Sequence, residues 1–134
     1  MAARKSKTKK PAQKKAQAIL RTEERDPVVG VTATKLAALF DEARFGTFTV
    51  LETGDGRFIQ SASEWVPGAV VAAFHRKNGN EADPWVIEYR ESRSEPIFRL
   101  KGHLTLAQVK GVFLSWLAGD DAWRKAHTWK VLEL

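Results

Sequence analysis

His75, His103 and His127 are the only histidines, separated by 28 and 24 positions. Neither His-x-x-x-His nor His-Glu-x-x-His occurs, so no spacing places two imidazoles on one helix face for a metal ion. The chain has no cysteine, which excludes thiolate ligands, a disulfide framework and a cysteine nucleophile. No metal and no other cofactor is expected. His103, beside Gly102 and just ahead of a helical pattern, could orient a bound group, although such a histidine is more commonly exposed or bonded to backbone.

Serine chemistry needs a hydroxyl held on a sharp turn, as in Gly-x-Ser-x-Gly, and Ser61, Ser63, Ser92, Ser94 and Ser115 lack that setting. Gly54-Asp55-Gly56 could suggest a phosphate cradle, but no helical pattern and no P-loop Lys-Ser/Thr follows it. It reads instead as a hairpin turn. Paired carboxylates are the remaining catalytic possibility: Glu64, Glu88 and Glu91 could approach one another in space, and sequence does not separate acid–base partners from wet glutamates. The expectation is a protein that is not an enzyme.

Five tryptophans are many for 134 residues. Trp116 falls on the apolar face of a helical pattern and is assigned to the core. Trp65 and Trp123 fall in loops or near helix ends, where core-edge packing and anchoring a partner are both open. Trp65, Trp85, Tyr89 and Trp123 are therefore the candidate partner-binding residues.

The net charge of +6 invites a nucleic-acid reading, yet its distribution matters more than its sum. Residues 1–21 hold eight cations, Arg4, Lys5, Lys7, Lys9, Lys10, Lys14, Lys15 and Arg21, and no acid. The other 14 of the 22 basic residues face all 16 acidic ones, a net of −2. A basic groove on the folded body is not implied. Residues 1–26 are expected to form a disordered basic tail, because little apolar surface there offsets about 1–2 kcal/mol of backbone entropy per ordered residue. Such a tail either solubilises the chain or holds it near nucleic acid or another acidic partner through Arg4, Lys5, Lys7, Lys9, Lys10, Lys14 and Lys15.

Residues 27–134 are expected to form a single α+β domain. Val28, Val29 and Val31 make an extended lead-in, and Leu36, Leu39, Phe40 and Ala43 recur at the spacing of one helix face, with Thr32 or Thr34 as cap and Gly46 as stop. Thr47–Glu52 and Phe58–Gln60 flank the Gly-rich turn as two strands. A buried strand is predicted from Ala69 to about His75, and a strand wet on one face where Trp85, Ile87 and Tyr89 alternate with Val86, Glu88 and Arg90. Ile97–Leu100 adds a short strand. Thr105 and Gln108 spell a capping box, Leu104 and Val109 occupy the staple positions, and Leu106, Val109, Phe113, Trp116 and Leu117 share a face that ends at Gly119. A terminal strand runs over Thr128–Leu134. Short connections favour antiparallel pairing, so the architecture is a curved, mainly antiparallel sheet of five or six strands packed against one or two helices.

From about Phe48 onward this order of elements resembles small immunity proteins of bacterial polymorphic toxin systems, particularly those paired with deaminase-type toxins. Leu104-Thr105-Leu106-Ala107-Gln108-Val109, Phe113, Leu117, Gly119 and Trp129 carry the resemblance to that family's last helix, glycine stop and closing strand. Asp120-Asp121 stand where the family often has Arg-Pro. The resemblance implies a non-catalytic protein-binding module that neutralises a cognate toxin. The other class is a nucleic-acid-associated protein acting through its tail. No apolar run approaches the about twenty residues needed to span a bilayer, and no secretory h-region is present. The expected location is the cytoplasm, with no membrane partner.

Overall fold

A computed structural model describes residues 18–22, 25–41, 48–63, 68–78 and 84–132. The most consequential departure from expectation comes first in the chain. Ile19 and Leu20 are the first large apolar residues after Met1, and they begin β1 (Ile19–Thr22), which pairs antiparallel with β2 (Arg25–Val29) on one side. On its other side β1 pairs antiparallel with β3 (Phe48–Glu52). Leu20 is 1% exposed. The boundary at residue 26 is thus corrected: order begins by Ala18. A four-residue strand has little propensity signal of its own, and its stability comes from neighbours on both sides. Pro27 is accommodated because β2 is an edge strand, where a missing N–H leaves no ladder bond unmade.

α1 (Ala33–Phe40) starts as its spacing dictates. The Thr32 hydroxyl accepts a hydrogen bond from the Lys35 amide at 3.1 Å, and Leu36, Leu39 and Phe40 are buried. The expected continuation through Ala43 to Gly46 lies outside the described residues. β3 then pairs antiparallel with β4 (Phe58–Ala62) through the predicted turn. That turn is closed by the Thr53 amide donating to the Arg57 carbonyl at 3.0 Å and by Asp55, whose carboxylate accepts from the Arg57 amide and the Thr53 hydroxyl.

The strand expected from Ala69 to His75 is instead a helix, α2 (Gly68–Asn78). An apolar run of this length does not distinguish a buried strand from a helix, and the alanines interleaved with the valines favour the helix. The partial burial of Val70, Val71, Phe74 and His75, with Ala72 and Ala73 exposed between them, has helical and not alternating spacing. None of the residues in α2 is buried.

β5 (Val86–Arg90), β6 (Phe98–Leu100) and β7 (Trp129–Val131) complete one seven-stranded sheet of order β2-β1-β3-β4-β5-β6-β7, antiparallel throughout. The α+β class and antiparallel pairing are as expected, with more strands than anticipated because β1 and β2 join the sheet. The chain between β6 and β7 forms α3 (Leu106–Ala118) and the short α4 (Ala122–Lys125). α3 carries the full capping box of Thr105 and Gln108, and Gly119 ends it at φ 85°.

Register determines which side chains share a face. Leu20, Leu51, Ile59, Tyr89 and Phe98 are cross-strand partners in one row, flanked by Thr22, Thr49, Ser61 and Ile87 in the next. With Leu36, Leu39 and Phe40 of α1, Val109, Val112, Phe113 and Trp116 of α3, and Trp123 of α4, the apolar members of these rows form the core. Phe40 meets Phe113 edge-on at 5.4 Å. α3 lies over β4, where Thr49 and Ser61 are fully buried and satisfied by the carbonyls of Arg21 and Val86.

Candidate functional site

Of the four aromatic residues expected at a partner interface, Trp65 lies outside the described residues. The other three are core. Trp85 is 4% exposed and its backbone makes a two-bond bridge to Leu104; Tyr89 is 4% and Trp123 is 3% exposed. Tyr89 stacks on Phe98 at 5.3 Å and takes the edges of Trp123 and Trp129 at 4.7 and 4.9 Å. Trp85, Tyr89 and Trp123, candidate partner-binding residues by sequence, have their ring surfaces consumed inside the fold. Loop position misled for Trp123, which α4 turns back onto β5. The tail cations Arg4, Lys5, Lys7, Lys9, Lys10, Lys14 and Lys15 lie outside the described residues. Arg21, grouped with them by sequence, is in β1 and pairs with Glu52 at 3.0 Å.

At the core's edge a chain of ion pairs joins the β3–β4 turn, the residue after β5 and α4. Glu91 accepts from Arg57 Nε at 3.2 Å and from Arg124 Nη1 at 2.8 Å, and Arg124 Nη2 reaches Asp121 at 2.9 Å. Burial pushes the Tyr89 phenol upward, the Glu91 charge adds to this, and the Arg124 charge opposes it. Glu88 points to the opposite face of the sheet, where it accepts from Gln60 Nε2 at 2.9 Å and pairs with Arg99 at 3.5 Å. Glu88 and Glu91 are thus held apart by the sheet, and Glu64 lies outside the described residues.

His75 lies on α2 and His127 meets the Trp129 ring at 6.3 Å. His103 is held below its ordinary pKa by burial and then by the charge of Arg99. Among the described residues no group of three histidines and carboxylates is placed to hold a metal ion. No helix there is long and apolar enough to cross a membrane.

The arrangement best suited to recognition is on the sheet face opposite α1, α3 and α4. Alternation puts Glu52, Phe58 and Arg90 in one cross-strand row and Arg21, Val50, Gln60, Glu88, Arg99 and Lys130 in the next. A depression of about 320 Å³ opens here, lined by Val50, Glu52, Gly56, Phe58, Gln60 and Arg90. The Arg90 guanidinium lies 5.2 Å from the Phe58 ring centroid, and its Nε donates to the Gly56 carbonyl at 3.1 Å. Arg90 is thereby oriented by an aromatic face and a turn, and its terminal nitrogens have no partner among the described residues. Two carboxylates described on the face are already occupied, Glu52 by Arg21 and Glu88 by Arg99 and Gln60. Among the described residues no carboxylate pairs with Arg90 or Lys130.

Sequence reasoning passed over Phe58, Gln60 and Arg90, treating the first two only as strand formers and Arg90 only as the wet side of its strand. The available signal was parity: once β3, β4 and β5 are taken as consecutive antiparallel strands, the alternate residues of each must converge on one face. No family model, no curated protein and no solved structure matches this chain.

Proposed function

We propose that this chain is a non-catalytic protein-binding module whose partner docks on the sheet face opposite α1, α3 and α4. The observation that carries this reading is the depression between Phe58, Gln60 and Arg90, where an arginine fixed by an aromatic ring keeps unused donors beside half-buried apolar surface. Arginine is among the residues in which binding energy concentrates at protein interfaces. The ion-paired, mixed-charge surroundings suit a polar interface rim.

The narrower form of the proposal is an immunity-like protein that occludes a toxin. Its support is the resemblance carried by α3, the stop at Gly119 and the strand holding Trp129.

Steric filling tests the docking face without changing its charge. Val50→Trp and Gln60→Trp project an indole into the depression, whereas Ala107→Lys alters the exposed side of α3. A protein captured from source-cell extract by the wild type should be lost with the first two variants and kept with the third. Capture that survives Val50→Trp and Gln60→Trp but fails with Ala107→Lys places the interface elsewhere. For the narrower reading, cells expressing the cognate toxin should survive with the wild type and not with Val50→Trp; death in both cases removes the immunity role.

A further inference from the structure

We infer that the segment this face receives is acidic: an extended stretch of a partner protein that sets one carboxylate on Arg90 and a second near Lys130. The inference rests on the docking face proposed above and adds the chemistry of its occupant. Its basis is the charge balance of the face. Glu52 and Glu88 are each held by an arginine, Arg21 at 3.0 Å and Arg99 at 3.5 Å. That leaves Arg90 and Lys130 as the cations of this face with no carboxylate among the described residues. An incoming acid meets two unanswered charges there, while an incoming cation must displace an internal pair to find one.

Arg90 is also the better prepared of the two. Its Nε is committed to the Gly56 carbonyl at 3.1 Å and its guanidinium lies over the Phe58 ring, so the outer nitrogens are presented in a fork that matches a carboxylate. Gln60 Nε2 is spent on Glu88, which leaves its carbonyl oxygen to accept a backbone N–H of the same segment. Lys130 stands two strands and one alternate position away from Arg90. At strand spacings of about 4.8 Å and a rise of about 3.4 Å per residue this is about 12 Å, the span of four residues of extended chain.

Single-stranded nucleic acid is the other anionic polymer to weigh, and the face suits it poorly. Phe58 is the aromatic residue in the depression, and Arg90 already lies against it, so no free ring is offered for base stacking. Two cations without a carboxylate among the described residues are also few for a phosphate backbone.

The test uses the full isotopically labelled chain and three probes: a capped peptide alternating glutamate and valine, its lysine–valine counterpart, and an oligothymidylate. The glutamate peptide should move the Arg90 Nε–Hε signal and the amides of Val50, Phe58 and Gln60, and the lysine peptide should not. Arg90→Glu should weaken the glutamate peptide by at least about tenfold, about 1.4 kcal/mol, and confer binding of the lysine peptide. Because Arg90 also braces the turn, Lys130→Glu provides a second variant at an exposed position, expected to weaken the peptide several-fold. Unmoved signals at Arg90, shifts confined to another surface, undiminished binding in Lys130→Glu, or tighter binding of the oligothymidylate at the same residues would each overturn the inference. If Val50→Trp abolishes capture of the native partner while the glutamate peptide leaves the face unmoved, the acidic occupant fails and the docking face stands. If capture survives Val50→Trp, the docking face itself fails.

Discussion

The Arg57 guanidinium lies 4.1 Å from the centroid of the Trp116 ring, while its Nε donates to Glu91 at 3.2 Å. A residue of the β3–β4 turn is thereby clamped between the core tryptophan of α3 and the carboxylate that follows β5. Trp116 is 1% exposed, yet its indole Nε1 is buried with no hydrogen-bond partner among the described residues. The ring therefore contributes by volume and by its face, and its polar atom costs stability. Trp116→Ala should lose about 3–5 kcal/mol, as large cavities do. Trp116→Phe should lose far less, within about 1 kcal/mol, because the lost packing is offset by removal of an unsatisfied donor worth about 1–3 kcal/mol. Denaturant unfolding of both variants checks this. Equal losses would mean that the indole nitrogen is satisfied in solution, by water for example.

β1 gives a sharper test of where the fold begins. It lies between β2 and β3, and Leu20 meets Leu51 on the core face. Leu20→Ala should cost about 2–5 kcal/mol. Deletion through Thr22 should be worse, since it leaves β3 with an unpaired edge and β2 with no neighbour. Thermal melting that leaves both variants at the wild-type midpoint would return β1 to the tail.

The contrast between β1 and α3 explains what could be read without coordinates. α3 was legible because its signals are local: Thr105 and Gln108 satisfy each other three residues apart, and Gly119 takes the left-handed conformation its position demands. The hairpin at Gly54–Arg57 was legible for the same reason. β1 was not, because four residues reveal themselves as a strand only against Glu52, Leu51, Val50 and Thr49, some thirty positions later. α2 was misread because Val70, Val71 and Phe74 sit in a run with no polar residue to mark its period. The proposed docking face has the same non-local character. Phe58 and Arg90 become neighbours only through register, and the conspicuous tryptophans drew attention to residues that the core then absorbed.

Gly56 tests how tightly the β3–β4 turn is seated. Its φ is 89°, and a Cβ added there would lie 2.9 Å from Arg93 Cβ and 3.1 Å from that residue's backbone. Gly56→Ala must therefore both strain the left-handed conformation, at about 1–2 kcal/mol, and push apart two loops. Gly54→Ala meets nothing within 4 Å and has no positive φ. It should stay within about 0.5 kcal/mol of wild type. Because Gly56 supplies the carbonyl that holds Arg90, Gly56→Ala should also move the Arg90 Nε–Hε signal. A mild Gly56→Ala with that signal unchanged would show the turn to be loosely held.

Acid sensitivity should start at His103. Burial, and then the positive charge of Arg99, hold its pKa below the ordinary value near 6.5. The unfolded chain therefore takes up the proton at a higher pH than the folded one. Between those two values the unfolded state binds more protons, so stability rises with pH and is lost as pH falls through about 6.5 toward the folded pKa. Asp55 and Asp120 act in the same direction at lower pH: each is held below the usual carboxylate range, by the hydroxyls of Thr53 and Ser115 respectively. Their contribution is present above their ordinary values and disappears as pH falls through the folded ones. His103→Asn should accordingly flatten the melting temperature between about pH 7 and 5 while leaving the steeper loss below about pH 4 in place. Arg99→Gln should flatten it only in part, since the burial that is the larger cause remains. An unaltered slope in His103→Asn would assign the sensitivity of that window to other groups.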